Sequence, residues 1–144
     1  MNFKQLLHAI RASCEISGDS ELWIYGSQAI LGNFSQAAQI STLSTSIEVD
    51  VTPKNLPQKA DDIDGSLGDG SPFHASHGFY VHGVPILEAA VLPSGWEKRC
   101  VKLLVKNLND EICTAYCLEV HDLLASKLVR FEDKDREFAR VALL

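Results

Sequence analysis

The run SIEVDV, Ser46 to Val51, carries Glu48 and Asp50 with one residue between them. In a strand, residues i and i+2 share a face, so both carboxylates point one way while Ile47, Val49 and Val51 point the other. Two like charges side by side repel, and a divalent cation offsets that repulsion. Mg2+ takes near-octahedral oxygen ligation from one or two carboxylates plus substrate phosphates, so Glu48 and Asp50 suit Mg2+ (or Mn2+). Upstream, LWIYGSQAIL, Leu22 to Leu31, breaks an apolar strand at Gly26-Ser27. Ser27 is a good N-cap for a helix over Gln28 to Leu31, and such a turn offers N–H groups, a hydroxyl and a positive helix end to phosphate. The turn and the acidic strand together divide the labour of a nucleotide site: one holds phosphates, the other the metal that bridges them.

These groups need elements to position them. Phe3, Leu6, Leu7, Ile10 and Cys14 recur at helical spacing and predict an amphipathic helix over Asn2 to Ile16, with Gly18 as its stop. Leu22 to Tyr25 reads as a short buried strand, and Ile47 to Thr52 as an alternating one stopped by Pro53. Residues 32 to 46 are rich in Ser, Thr, Gln and Ala and read as a short helix or loop. Lys59 to Leu67 reads as a short polar helix, GDGSPFHASHGF as turn, Phe79 to Val81 and Glu88 to Leu92 as strands, and Pro93-Ser94-Gly95 as a turn. Cys100 to Val105 and Ile112 to Leu118 form a hairpin about Asn107 to Asp110. From Glu119 the pattern turns helical through Leu123, Leu124, Leu128 and Val129, breaks near Glu132, and resumes through Phe138, Val141 and Leu144.

The expected class is therefore α+β: a small mixed or antiparallel sheet of about five strands flanked by helices. One domain over 1–144 is expected, with a core over 1–118 and a helical part over 119–144. A chain of 144 residues with 46% hydrophobic and 22% charged content suits that reading. No run approaches the roughly 18 apolar residues of a membrane span, and Lys4, Arg11 and Glu15 interrupt any signal-peptide core, so a cytoplasmic location is expected. The four cysteines show no CxxC spacing and read as reduced, buried thiols. A formal net charge of −6 argues against a broad grip on nucleic acid, although Lys98, Arg99, Lys102 and Lys106 provide a local basic strip.

Other motifs carry weaker chemistry. His74, His77 and His82 space as H-x2-H-x4-H, which invites zinc, but without a Cys to complete the set hydrogen bonding in a turn is the plainer role. Ala60 to Ser71 is a near miss for a calcium loop, lacking an acid at Ala60 and a Glu at Ser71, so Asp61, Asp62 and Asp64 read as solvated helix-end groups. Trp23 and Trp96 read as core anchors, with Trp96 also placed to stack on a base.

The Gly-Ser turn followed by an E-x-D strand resembles the nucleotidyltransferase superfamily that shares the minimal polymerase-beta-like palm. WIYGSQAILG, SIEVDV, GDGSPFHASHGFYVHGV, EAAVLPSGWEKR and VRFEDKDREFARVALL look like a bacterial nucleotidyltransferase-like family of undefined function, related to toxins of abortive-infection toxin–antitoxin pairs. The resemblance implies a polymerase-beta-like fold in which Gly26 and Ser27 cradle a nucleoside triphosphate and Glu48 and Asp50 bind the catalytic metal. It also implies a third carboxylate on a neighbouring strand, for which Glu88 is the candidate, as base and metal ligand. A helix lysine that meets the phosphates falls at Lys127, with Asp135 following. The chain departs from the superfamily in having Glu rather than Asp at residue 48 and a longer interval between Ser27 and Glu48.

By that resemblance the activity is metal-dependent transfer of a nucleoside monophosphate to an RNA end, such as tRNA, or to a protein hydroxyl, within a toxin–antitoxin-like pair. The rival expectation is a nucleotidyltransferase fold without turnover, serving as a nucleotide-binding or regulatory module. The apolar run Val141-Ala-Leu-Leu gives that rival weight, reading either as a packed terminus or as a surface that an antitoxin-like partner or a second copy covers.

Overall fold

The computed structural model describes residues 1–40, 43, 46–130 and 132–143. Helix α1, Phe3–Ser17, begins at a capping box in which Asn2 Oδ1 accepts from Gln5 N–H at 2.8 Å and Gln5 Oε1 accepts from Asn2 N–H at 2.9 Å. It ends at Gly18 in the left-handed conformation, and buries Leu6, Ala9, Ile10 and Cys14 on its inner stripe.

Five strands follow: β1 Glu21–Tyr25, β2 Glu48–Pro53, β3 Tyr80–Gly83, β4 Val101–Lys106 and β5 Ile112–Cys117. They form one mixed sheet in the order β3-β2-β1-β5-β4, parallel between β3 and β2 and between β1 and β5, antiparallel elsewhere. The architecture is thus α+β, a five-strand mixed sheet flanked by helices. Leu22, Ile24, Val49, Val51, Val81, Ala115 and Cys117 point to the face packed on α1 and are buried. The opposite face carries Glu48, Asp50, Trp23, Tyr116 and His82, because their registers alternate with those core positions.

Asp19 fixes where β1 starts. Its buried carboxylate accepts from the N–H groups of Glu21 at 3.0 Å, Asn55 at 2.7 Å and Leu56 at 2.9 Å, joining the entry of β1 to the exit of β2. Helix α3, Ala60–Leu67, then packs across α1 and β3. Asp61 and Asp62 occupy its first turn, where a negative charge is favoured, and Asp64 Oδ1 accepts from Gly83 N–H at 3.2 Å.

The segment expected as turn contains a helix, α4 Pro72–His77. Ser71 caps it by accepting from His74 N–H at 3.1 Å, Pro72 opens it, and Gly78 closes it in the left-handed conformation. Strand β3 runs two residues past the expected end and so includes His82. Glu88 to Leu92 is not a strand: Pro85 introduces a single helical turn, α5 Ile86–Ala89, and no strand forms from Ala90 to Leu92. A further turn, α6 Trp96–Arg99, brings Trp96 edge-on to Trp23 at 4.8 Å. Trp96 is buried there as a core anchor and is not free to stack on a base.

The β4–β5 hairpin forms as expected, with Asn107 Oδ1 accepting from Asn109 and Glu111 N–H groups, each at 2.9 Å, and Asp110 at positive φ. Helices α7, Val120–Arg130, and α8, Asp133–Ala142, complete the chain on either side of the expected break. Leu144, expected on the last helix, lies outside the described residues, as do 41, 42, 44 and 45 of the Ser/Thr-rich segment. Around them, α2 Ile30–Asn33 and a 3-10 turn Ser35–Gln39 are short, as that composition suggests. The cysteines are unpaired thiols, and burial pushes Cys117 up to about 12. No helix among the described residues is long and apolar enough to cross a membrane.

Candidate functional site

Strand pairing builds the site. Tyr25 at the end of β1 stands opposite Asp50 on β2, and Asp50 stands beside His82 on β3; one step along, Glu48 stands beside Tyr80. Since β2 and β3 are parallel and in register, the i and i+2 acids of one strand meet Tyr80 and His82 of the other on the same face. His82 Nδ1 lies 2.9 Å from Asp50 Oδ1 and 3.5 Å from Glu48 Oε1. The Tyr80 hydroxyl donates to Glu48 Oε2 at 2.7 Å, fixing one oxygen and leaving the other toward His82. Ligand atoms of Glu48, Asp50 and His82 all lie within 4.8 Å of one another, the one such set of His, Cys, Asp and Glu among the described residues.

The electrostatics follow from that crowding. Burial raises the Glu48 carboxyl above its ordinary range, and its contact with Asp50 adds to the shift against the opposing pull of Tyr80 and His82. The hydrogen bond with Asp50 raises the His82 imidazole. The donor set, two carboxylates and one imidazole, fits a divalent cation: each group gains by facing a positive charge. The longer Glu48 side chain reaches into the cluster with Tyr80 as its brace, so Glu at this position is compatible with a metal site.

Gly26 and Ser27 lie against the same cluster. Gly26 has φ 72° and ψ −178°, a conformation essentially confined to glycine, and a β-carbon there would fall 2.9 Å from Asp50 Cγ and closer still to Oδ2. Ser27 does not act as the expected N-cap. It begins a 3-10 turn, Ser27–Ala29, capped by Gly26 with no side-chain cap bond, and its Oγ accepts from Gln28 Nε2 at 3.3 Å. With only a turn and the four-residue α2 behind it, no helix dipole of consequence forms. What remains for an anion is the hydroxyl and the backbone of the turn.

A cleft of about 650 Å3 is lined by Gly26, Ser27, Glu48, Asp50 and His82 together with Lys127, Arg130 and Lys134. Lys127 is buried and donates to Asp135 Oδ1 at 3.3 Å; Arg130 Nε donates to Asp135 Oδ2 at 2.8 Å. The Arg130 guanidinium holds the Asp135 carboxyl down at about 2, while burial lowers the Lys127 ammonium. Asp135 is thereby the anchor that brings two cations from α7 to the cleft wall. Lys127 is thus buried and paired, not part of a solvated charged face. Asp135 chiefly raises Arg130, Glu132 adds to it, and the charge of Asp50 makes the smallest contribution.

Glu88 is exposed on α5 and outside the carboxylate–imidazole cluster. His82 occupies the place on the neighbouring strand that the third carboxylate was expected to fill. The H-x2-H-x4-H set does not gather: His74 Nδ1 accepts from Gly70 N–H at 3.1 Å, and His77 packs edge-on to His8 at 4.6 Å. The basic strip is also reduced, because Arg99 Nε donates to Asp122 at 2.8 Å. A second depression, about 870 Å3, lies between α1 and the β4–β5 hairpin tip and holds no metal-ligand cluster among the described residues.

His82 was legible in one respect. In YVHG, Tyr80 and His82 alternate with Val81 and Gly83 as Glu48 and Asp50 alternate with Val49 and Val51. Comparison with protein-family models, curated proteins and solved structures gives no match for this chain. The chemistry assigned to the cleft therefore rests on its own residues.

Proposed function

We propose that this chain is a metal-dependent nucleotidyltransferase with a polymerase-beta-like arrangement, transferring a nucleoside monophosphate from a nucleoside triphosphate to a hydroxyl of RNA, such as a tRNA end, or of protein. The observation that carries the proposal is the convergence of Glu48, Asp50 and His82 in a cleft that Lys127 and Arg130 also line. A cation site facing fixed positive side chains suits a polyanion with two ends, as a metal-chelated triphosphate has.

Glu48, Asp50 and His82 would hold the divalent ion, which when bound offsets charge on the phosphates and on the attacking oxygen. Ser27 and the Gly26 peptide orient the phosphates at the floor. Lys127 and Arg130 face the pyrophosphate end and stabilise the charge that accumulates there as the bond to the α-phosphorus breaks. The acceptor hydroxyl gives its proton to a carboxylate of the pair as its oxygen joins the α-phosphorus. As the resemblance implies, an antitoxin-like protein or a second copy would be the partner.

The test is transfer of label from α-labelled ATP or CTP to total tRNA and to protein, by the wild type and by Asp50→Asn. Transfer that requires a divalent ion and disappears in Asp50→Asn supports the proposal. The presence of His82 in place of a third carboxylate, with Glu88 outside the cluster, favours a second reading: a nucleotide-binding or regulatory module of this fold. Metal-dependent nucleotide binding without transfer to either acceptor would establish that second reading instead.

A further inference from the structure

His82 changes which ion this cluster selects. We propose, building on the metal–nucleotide reading above, that Glu48, Asp50 and His82 form a three-ligand site that prefers a first-row transition ion, Mn2+, Co2+ or Zn2+, over Mg2+. The first support is metric. Around an ion with ligands at roughly 2.1 Å, two ligands at right angles stand about 3.0 Å apart and two at the tetrahedral angle about 3.4 Å. His82 Nδ1 stands 2.9 Å from Asp50 Oδ1, a hydrogen bond whose proton a bound ion would displace, and 3.5 Å from Glu48 Oε1, so both separations also suit edges of one coordination shell.

The second support is preorganisation. The β2–β3 register places His82 beside Asp50, and Tyr80 holds Glu48 Oε2 so that Oε1 faces the imidazole. A partner bonded to the far oxygen of a ligating carboxylate orients it and strengthens binding. Gly26 adds the third: because residue 26 lacks a β-carbon, the turn comes up against Asp50, whose carboxyl fills the space a side chain there would need.

The selectivity follows from the nitrogen. Mg2+ dehydrates reluctantly and takes oxygen ligands, whereas imidazole suits the borderline transition ions, whose affinities for N/O sites rise from Mn2+ through Co2+. One imidazole with two carboxylates therefore trades Mg2+ affinity for transition-ion affinity. It also leaves positions for phosphate oxygens, because the three residues line the cleft that Lys127 and Arg130 face. Among the described residues the other histidines join no second cluster of metal ligands.

MnCl2 alone, titrated into the intact chain and followed by the resonance of free Mn2+, tests this directly. Bound Mn2+ should show nitrogen hyperfine modulation from one imidazole, and Co2+ or Zn2+ should displace it at far lower concentration than Mg2+. His82→Asn should lose the modulation, and His82→Asp should lower transition-ion affinity roughly 10- to 100-fold while retaining Mg2+ binding. Melting without metal is measured alongside: His82→Asn should stay near the wild type, since His82 is half exposed, whereas His82→Asp sets a third carboxylate beside Glu48 and Asp50 and should melt lower until Mg2+ is added. Absence of Mn2+ binding, Mn2+ bound without nitrogen coupling, or a metal preference unchanged in His82→Asp would overturn the proposal. Adding ATP separates the two readings. Metal-dependent ATP binding without nitrogen coupling overturns the selectivity alone, whereas nitrogen-coupled Mn2+ that ATP does not perturb supports the selectivity and overturns the nucleotide reading.

Discussion

Gly26 and Asp50 are packed so closely that residue 26 has no room for a side chain: a β-carbon would stand 2.9 Å from Asp50 Cγ and nearer still to Oδ2. The turn after β1 and the acid on β2 are therefore one construction. Tyr25↔Asp50 pairing sets their relative height, and the positive φ of Gly26 turns the chain away over the carboxylate.

Gly26→Ala should consequently fail twice. The backbone conformation costs a non-glycine residue about 1 to 3 kcal/mol, and the added methyl displaces Asp50. Urea unfolding should show that loss of stability, and calorimetry should show metal binding weakened beyond what the stability loss explains. A variant that binds metal as the wild type does would remove Gly26 from the site.

Tyr80→Phe separates positioning from packing. Loss of the 2.7 Å bond to Glu48 costs about 1 kcal/mol of stability, yet metal affinity should fall roughly 10- to 100-fold because Glu48 is no longer oriented. Equal, small effects on both would leave Tyr80 a structural residue only.

Glu88→Gln should leave metal affinity nearly unchanged, since Glu88 sits exposed on α5 outside the ligand set, although its charge reaches Tyr25 beside the cleft. A large loss in a competition titration would return Glu88 to the metal's ligand set.

Asp135→Asn should be the most destabilising of these changes. It strands buried Lys127 and the adjoining Arg130 without their counter-charge, at a cost of about 3 to 5 kcal/mol. Thermal melting should show the drop at neutral pH.

The same carboxylate gives a pH dependence. Its folded pKa, about 2, is below the ordinary aspartate value, so its contribution is complete above about 4 and is lost as pH falls toward 2. Acid unfolding curves of wild type and Asp135→Asn should converge across that window. Curves that stay parallel would show that Asp135 is not stabilised by its ionised form.

Much of this was legible in residue order. The alternation of Glu48 and Asp50 with Val49 and Val51 announced both a strand and its two faces, and Val49 and Val51 are fully buried. Gly26 was legible as a turn, but its contact with Asp50 was not, because strand adjacency belongs to the assembled sheet. His82 was singled out only within the H-x2-H-x4-H set, and its place beside Glu48 and Asp50 was missed for a related reason: β3 is four residues long, too short for periodicity to fix its end, and nothing in the chain says that it lies beside β2. Glu88 was misplaced because Pro85 starts a helical turn within an apolar run that reads equally well as extended. Lys127 was singled out by resemblance, whereas its partner eight residues away on the next helix required the α7–α8 turn to be folded.

The most direct test of the account is calorimetric titration of ATP and CTP, with and without divalent ion, into the wild type and Asp50→Asn. The account predicts nucleotide binding that needs the ion and is lost in Asp50→Asn. Binding that persists without the ion, or in Asp50→Asn, or no binding of either nucleotide, would contradict it.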